Sequence, residues 1–183
     1  DWWKWGWEKN DWFHAGPNEL RTFVTGRTTY LNAQIASLEQ RSALCINEFM
    51  ASNATAVIDE WGDHDDWIEI LNRGAAPVSL LGLYLTDDLT LPGRFALPDT
   101  TLNPGERVIV WADAEPYEGP WHATFRLEQN GEKVGLFSGP LATSAPIDVM
   151  VFDAQYTDAA CGRLPDGSPY WQVLPTPTPG AAN

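Results

Sequence analysis

Long hydrophobic runs are missing from this sequence. No stretch of about 18 apolar residues occurs, so nothing reads as a membrane-spanning helix. Positive charge is scarce: 11 Lys and Arg stand against 25 Asp and Glu, a net charge of −14. Nucleic-acid binders carry a basic face for the phosphates, and anionic membranes attract the same kind of face, so neither partner is expected. Only two cysteines occur, Cys45 and Cys161, and neither belongs to a C-x-x-C pair, so they announce neither a zinc site nor a redox motif. No Gly-rich phosphate loop with its lysine is present, and no serine sits in a G-x-S-x-G turn. The opening residues Asp1-Trp2-Trp3-Lys4 do not resemble a signal peptide.

What is present is unevenly spread. Hydrophobic residues make up 44% of the 183, enough for a packed core. Residues 1–42 carry five acids and five bases, so the whole −14 falls on residues 43–183. Five of the ten tryptophans (Trp2, Trp3, Trp5, Trp7 and Trp12) lie in the first twelve residues, whereas 13 of the 14 prolines follow residue 76. The expected division is therefore a Trp-rich arm over 1–16, a helix over 17–42 and a β domain over 43–183.

Gly16-Pro17-Asn18-Glu19 reads as a helix start, with proline in the first turn and an acid near the positive end of the dipole. Leu20, Phe23, Val24, Tyr30, Leu31, Ile35 and Leu38 then recur at helical spacing, giving a stripe from about Pro17 to Glu39 that Gly26 interrupts. One helix cannot bury its own stripe, so a partner is expected. Trp3, Trp5 and Trp7 alternate as in an extended arm. They suit either a binding platform for protein or sugar rings, or plain packing against protein.

From Ile46 onward short apolar runs alternate with turn residues. Strands are expected at Ile46–Met50, Trp67–Leu71, Leu83–Leu85, Arg107–Ala112, Thr124–Leu127, Lys133–Phe137, Ile147–Phe152 and Tyr170–Leu174. Asn103-Pro104-Gly105, Asn130-Gly131 and Pro165-Asp166-Gly167 are among the turns between them. Many short strands at even spacing imply an all-β sandwich or barrel. Phe49, Ile68, Ile70, Val108, Val110, Phe125, Leu136 and Val149 are the expected inward residues, from their alternation with polar neighbours. Glu60-Trp61-Gly62-Asp63-His64-Asp65-Asp66 concentrates oxygen ligands around a turn. It reads as an ordinary solvated loop or as a calcium site through Asp63, Asp65 and Asp66, although its spacing departs from the EF-hand. Asn53-Ala54-Thr55 matches a glycosylation triplet that chance also produces.

A series of these segments, in order, resembles the bacterial form of the lamin tail domain: Ile46-Asn47-Glu48-Phe49-Met50-Ala51-Ser52-Asn53, Asp66-Trp67-Ile68-Glu69-Ile70-Leu71-Asn72 and Leu102-Asn103-Pro104-Gly105-Glu106-Arg107-Val108-Ile109-Val110-Trp111-Ala112. Cys161-Gly162-Arg163-Leu164-Pro165-Asp166-Gly167 and the ending Thr176-Pro177-Thr178-Pro179-Gly180-Ala181-Ala182-Asn183 continue it. The resemblance covers about residues 45–183. It implies an immunoglobulin-like antiparallel β-sandwich without enzymatic activity, in a secreted or surface protein. In that setting Cys45 and Cys161 would form a disulfide, and His122 would have a structural hydrogen-bonding role. More faintly, Arg21-Thr22-Phe23-Val24 through Ile35 resembles the last helix of a CotH-type kinase domain, whose nucleotide and metal residues would lie upstream.

The expected function is thus a non-catalytic extracellular or cell-surface module for attachment or assembly. It needs no cofactor beyond possible calcium, and its partner is a protein: an upstream domain or further copies of itself. A carbohydrate-binding module using exposed tryptophans and the C-terminal fragment of a CotH-type kinase are the alternatives.

Overall fold

The computed structural model describes residues 16–183, with the side chains of residues 37 and 38 left aside. The tryptophans assigned to the arm lie outside the described residues. Among the described residues one helix, α1 (Pro17–Arg41), precedes eleven strands: β1 (Leu44–Met50), β2 (Trp67–Asn72), β3 (Val78–Ser79), β4 (Tyr84–Thr86), β5 (Phe95–Ala96), β6 (Thr101–Leu102), β7 (Arg107–Trp111), β8 (Gly131–Phe137), β9 (Pro146–Asp153), β10 (Ala160–Arg163) and β11 (Trp171–Leu174). The chain divides into two compact units, Asp1–Glu39 and Gln40–Asn183.

In the first unit, α1 starts as its sequence dictates. The Gly16 carbonyl accepts the Glu19 and Leu20 N–H groups, and Glu19 reaches back to the Gly16 N–H at 3.0 Å. This is a capping arrangement that satisfies otherwise orphaned donors. Gly26 does not break the helix.

The second unit is an antiparallel sandwich. One sheet has the order β11-β10-β1-β2-β7, the other β5-β4-β8-β9, and β3 and β6 form a small separate ribbon. Leu44, Ile46, Phe49, Ile68, Ile70, Val110, Phe125, Val134, Leu136, Met150 and Phe152 fill the space between the sheets. In β1 the inward phase changes from Leu44 and Ile46 to Phe49, because a bulge between Ile46 and Glu48 shifts the register with β2. Arg163 then ties both sheets together: it donates to the Ile46 carbonyl at 2.7 Å, pairs with Asp148 of β9 at 2.9 Å, and stacks 4.5 Å from the Trp171 ring centre.

Two expectations are corrected. Val149 is not inward: it is 38% exposed, while its neighbours Met150 and Phe152 point into the core. The strand is real, but the alternation was read one residue out of phase. Cys45 and Cys161 are free thiols, not a disulfide. The β1–β10 register sets Cys161 opposite Phe49, four positions from Cys45, or about 13 Å along a strand against the ~7 Å a bridge allows. Cys161 also packs toward the core with Phe49, whereas Cys45 alternates with the inward Leu44 and Ile46 and so faces the other side.

The outer face of the five-stranded sheet is covered by the chain's own end. Glu48 and Glu69 are cross-strand partners there, both fully buried. Two like charges side by side would repel, and each needs donors. Thr178 supplies Glu48 with its N–H at 2.9 Å and its hydroxyl at 2.7 Å; Gly180 N–H meets Glu69 at 2.8 Å, beside Asn47 Nδ2 at 2.9 Å and Arg107 Nε at 3.3 Å. Arg107 also pairs with Asp166. Asn183 lies over Gly162, where an added Cβ would meet its Nδ2 at 2.5 Å, so a side chain at 162 would lift the strap.

Candidate functional site

Two loops of the sandwich unit meet at one end, one between β1 and β2, the other following β7. The first is built by asparagine and aspartate side chains. Asn53 donates to the Val57 and Asp65 carbonyls at 2.7 and 2.8 Å and accepts from the Ala56 and Val57 N–H groups at 3.2 and 3.1 Å. This side chain is buried and fully engaged, so the glycosylation triplet marks a scaffold residue in the folded protein. Asp59 Oδ1 accepts from the N–H groups of Trp61, Gly62 and Asp63 at 2.7–2.9 Å, closing a tight turn that Gly62 allows with φ 93°.

The second loop is held against the end of β7. Trp111 N–H donates to the Trp121 carbonyl at 2.9 Å, and Ala123 N–H returns to the Trp111 carbonyl at 2.7 Å. This pins His122 beneath Trp111, whose ring it faces at 6.5 Å and 26°. His122 is fully buried. Its Nδ1 is hydrogen-bonded to the equally enclosed Asp113, and its Nε2 lies 3.2 Å from Glu60 of the first loop. The structural role expected of His122 is present. The exposed Trp61 links the loops again, donating its indole N–H to the Glu118 carbonyl at 3.0 Å.

Around this histidine the charge is overwhelmingly negative. Glu118 Oε2 sits 3.7 Å from His122 Nδ1. One oxygen of Asp59, one of Glu118 and one ring nitrogen of His122 lie within 4.8 Å of one another. Asp59 Oδ2, Glu118 Oε2 and Asp65 Oδ2 are shielded from solvent without a hydrogen-bond partner. Loss of solvent raises the Glu118 carboxyl above its ordinary range, and Glu115 and Asp59 push it further while His122 pulls it down. Burial raises Asp65 too, aided by Asp113 and Asp59, and pushes Asp66 up to about 6. For His122, burial disfavours the imidazolium, but the bonds to Asp113 and Glu60 outweigh it and raise the pKa.

The calcium triad expected at Asp63, Asp65 and Asp66 does not form. Asp63 is exposed, and Asp66 turns back to accept the Asn53 N–H at 3.3 Å. Among the described residues, the group that could hold an ion is Asp59, Glu118 and His122. Asp59 and Glu118 were not singled out by sequence reasoning. They are 59 positions apart, and no local spacing reports a convergence made by loops at one end of a sandwich. The acidity of the 60–66 loop marks the same end of the fold, but not the side chains that converge there.

Among the described residues no helix is long and apolar enough to cross a membrane. Comparison with curated proteins finds no match. The lamin tail domain family model matches residues 38–151, from the end of α1 to β9, more than half of the chain. The structure adds that β10, β11 and the final strap, beyond that match, complete the same sandwich through β1. Two antiparallel sheets, this strand order and this match lead to one conclusion: the chain belongs to the lamin tail domain family, whose members are non-catalytic immunoglobulin-like interaction domains.

Proposed function

We propose that this chain is a non-catalytic assembly module of a secreted or cell-surface protein, and that it associates with further copies of itself through α1 and the segment before it. The observation that carries this reading is the apolar stripe of α1. Leu20, Val24, Leu31 and Ile35 are between 42% and 57% exposed. Exposed apolar side chains gathered on one helix face mark an interaction site. Charge selects the occupant. Residues 43–183 carry the entire −14, so two sandwiches repel, whereas residues 1–42 are neutral overall and offer the region where two copies meet without that penalty. The likeness of α1 to the last helix of a CotH-type domain supplies the competing occupant, an upstream domain of the same parent protein.

Sedimentation of the full chain against a Val24→Glu/Leu31→Glu variant tests the proposal. A concentration-dependent dimer or larger species is expected, and the two buried charges should return it to monomer with its β spectrum unchanged. A full chain that stays monomeric at high concentration overturns self-assembly and leaves the upstream domain as the cover for α1. A second reading, carbohydrate binding, is favoured by Trp61 and Tyr117, two exposed aromatics in the loops around His122. Oligosaccharide titration that quenches tryptophan fluorescence, and stops doing so in Trp61→Ala, would support it.

A further inference from the structure

The geometry points to a divalent transition-metal site at Asp59, Glu118 and His122. This inference stands apart from the role of α1 and does not depend on it. Three donors from two distant loops lie within 4.8 Å of one another. With metal–ligand bonds of about 2.0–2.2 Å, donors around one tetrahedral ion stand about 3.4 Å apart, so side-chain rotations that draw this set inward would bring all three onto one ion.

The Asp113–His122 pair alone could be read as a structural pin for the loop. That reading accounts for neither Asp59 Oδ2 nor Glu118 Oε2, both solvent-shielded and without a hydrogen-bond partner. Asp59 is 7% exposed, and its other oxygen is already used by three N–H groups, so its free oxygen has no protein donor left to satisfy it. Buried polar atoms left unpaired are rare in folded proteins and call for an unseen partner. A cation suits two carboxylate oxygens and an imidazole better than water does.

The chemistry of the set selects the ion. Calcium takes six to eight oxygens and has little use for a ring nitrogen. Imidazole with carboxylates suits zinc, or manganese with more oxygen ligands. Asp113 completes the pattern from outside. It holds His122 Nδ1, the way a carboxylate commonly orients a metal-binding histidine, so Nε2 is the nitrogen left for an ion, and Glu118 Oε2, now 3.7 Å from Nδ1, would turn toward it. Nε2 now faces Glu60 at 3.2 Å, and the Glu60 side chain is 58% exposed, free to swing aside or to become the fourth ligand.

The test uses the full chain after chelator treatment and dialysis, titrated calorimetrically with zinc, manganese and calcium chloride in turn. One equivalent of zinc is expected to bind and to raise the thermal midpoint. Glu118→Gln and Asp59→Asn should each weaken zinc at least tenfold; the latter keeps an amide oxygen for the three turn N–H groups. Circular dichroism of both variants verifies the fold, which His122→Ala would put at risk. No zinc binding, zinc binding equally tight in both variants, or calcium binding tighter than zinc would each overturn the inference.

Discussion

Single side chains in this sandwich carry more of its pH response than their number suggests. Glu132 in β8 accepts the Glu128 N–H at 2.8 Å. Burial, then Asp87, Glu128 and Asp66, push its pKa up to about 7. Glu69, enclosed under the C-terminal strap, is likewise raised to about 7 by burial, against the pull of Asn47, Gly180 and Arg107. A carboxyl whose folded pKa lies above its unfolded value supports the fold fully below the unfolded value, here about 4.5. That support drains away as pH rises through 7. Urea unfolding of the native chain should therefore show these two groups eroding stability between about pH 4.5 and 7. Glu132→Gln keeps the acceptor for Glu128, removes the charge, and should flatten the profile. The expected gain at pH 8 is about 1 kcal/mol, already reduced for the solvent that reaches this half-buried group. An unchanged slope would show that Glu132 ionises freely. The cysteines make a second residue-scale expectation. Burial pushes the Cys45 thiol up to about 11 and raises Cys161 as well, so both should react sluggishly in the native protein. Denatured, unreduced protein should titrate two thiols per chain; none would restore the disulfide that the β1–β10 register excludes.

At the scale of elements, the parts legible in the sequence are those whose pattern is local. β2 shows it best: Ile68 and Ile70 alternate with Trp67, Glu69 and Leu71, and the first pair enters the main core while Trp67 packs on the opposite face with Met50, Trp111 and Ala160. The α1 start followed from Gly16-Pro17-Asn18-Glu19, and the helix ends at Arg41, past the end of its apolar stripe. What escaped was set by long-range partners. β3, β5 and β6 are two residues each, too short for any period. Thr124–Leu127 was expected as a strand, yet only an isolated bridge, Asp113 to Arg126, occurs there, although Phe125 is buried as expected. β10 has almost no apolar alternation, because one side of Ala160-Cys161-Gly162-Arg163 lies beneath Asn183 rather than water. The strap has no apolar period of its own, and its work is visible only once Thr178 is seen on Glu48. Thr178→Ala should remove the hydroxyl bond at 2.7 Å and leave a buried carboxylate oxygen short of a donor. A loss of about 1–3 kcal/mol in urea unfolding is expected, with the β spectrum retained. A change within a few tenths of a kcal/mol would mean that the strap is decoration.

Across the whole molecule, the decisive asymmetry is electrical. All of the −14 resides on residues 43–183, and the neutral first 42 residues carry the exposed stripe. Within the acidic unit the like charges are managed locally. Glu48 and Glu69 share donors from the strap, and Asp148 neutralises Arg163. At the loop end, Asp59, Asp113 and Glu118 surround a single histidine. A surface with so much uncompensated charge keeps copies apart at a range set by the Debye length, about 30 Å at 0.01 M salt but ~8 Å at 0.15 M. If the copies join through α1, the attraction is apolar and insensitive to screening, whereas the repulsion between sandwiches is not. Association measured by sedimentation should therefore strengthen as salt rises from 10 to 300 mM, opposite to the behaviour of an interface built on ion pairs. Val24→Glu/Leu31→Glu should remove the association at every salt concentration. An association that weakens with salt would place the contact on charged groups of the sandwich instead, and would move the functional surface of this lamin tail domain away from its helix.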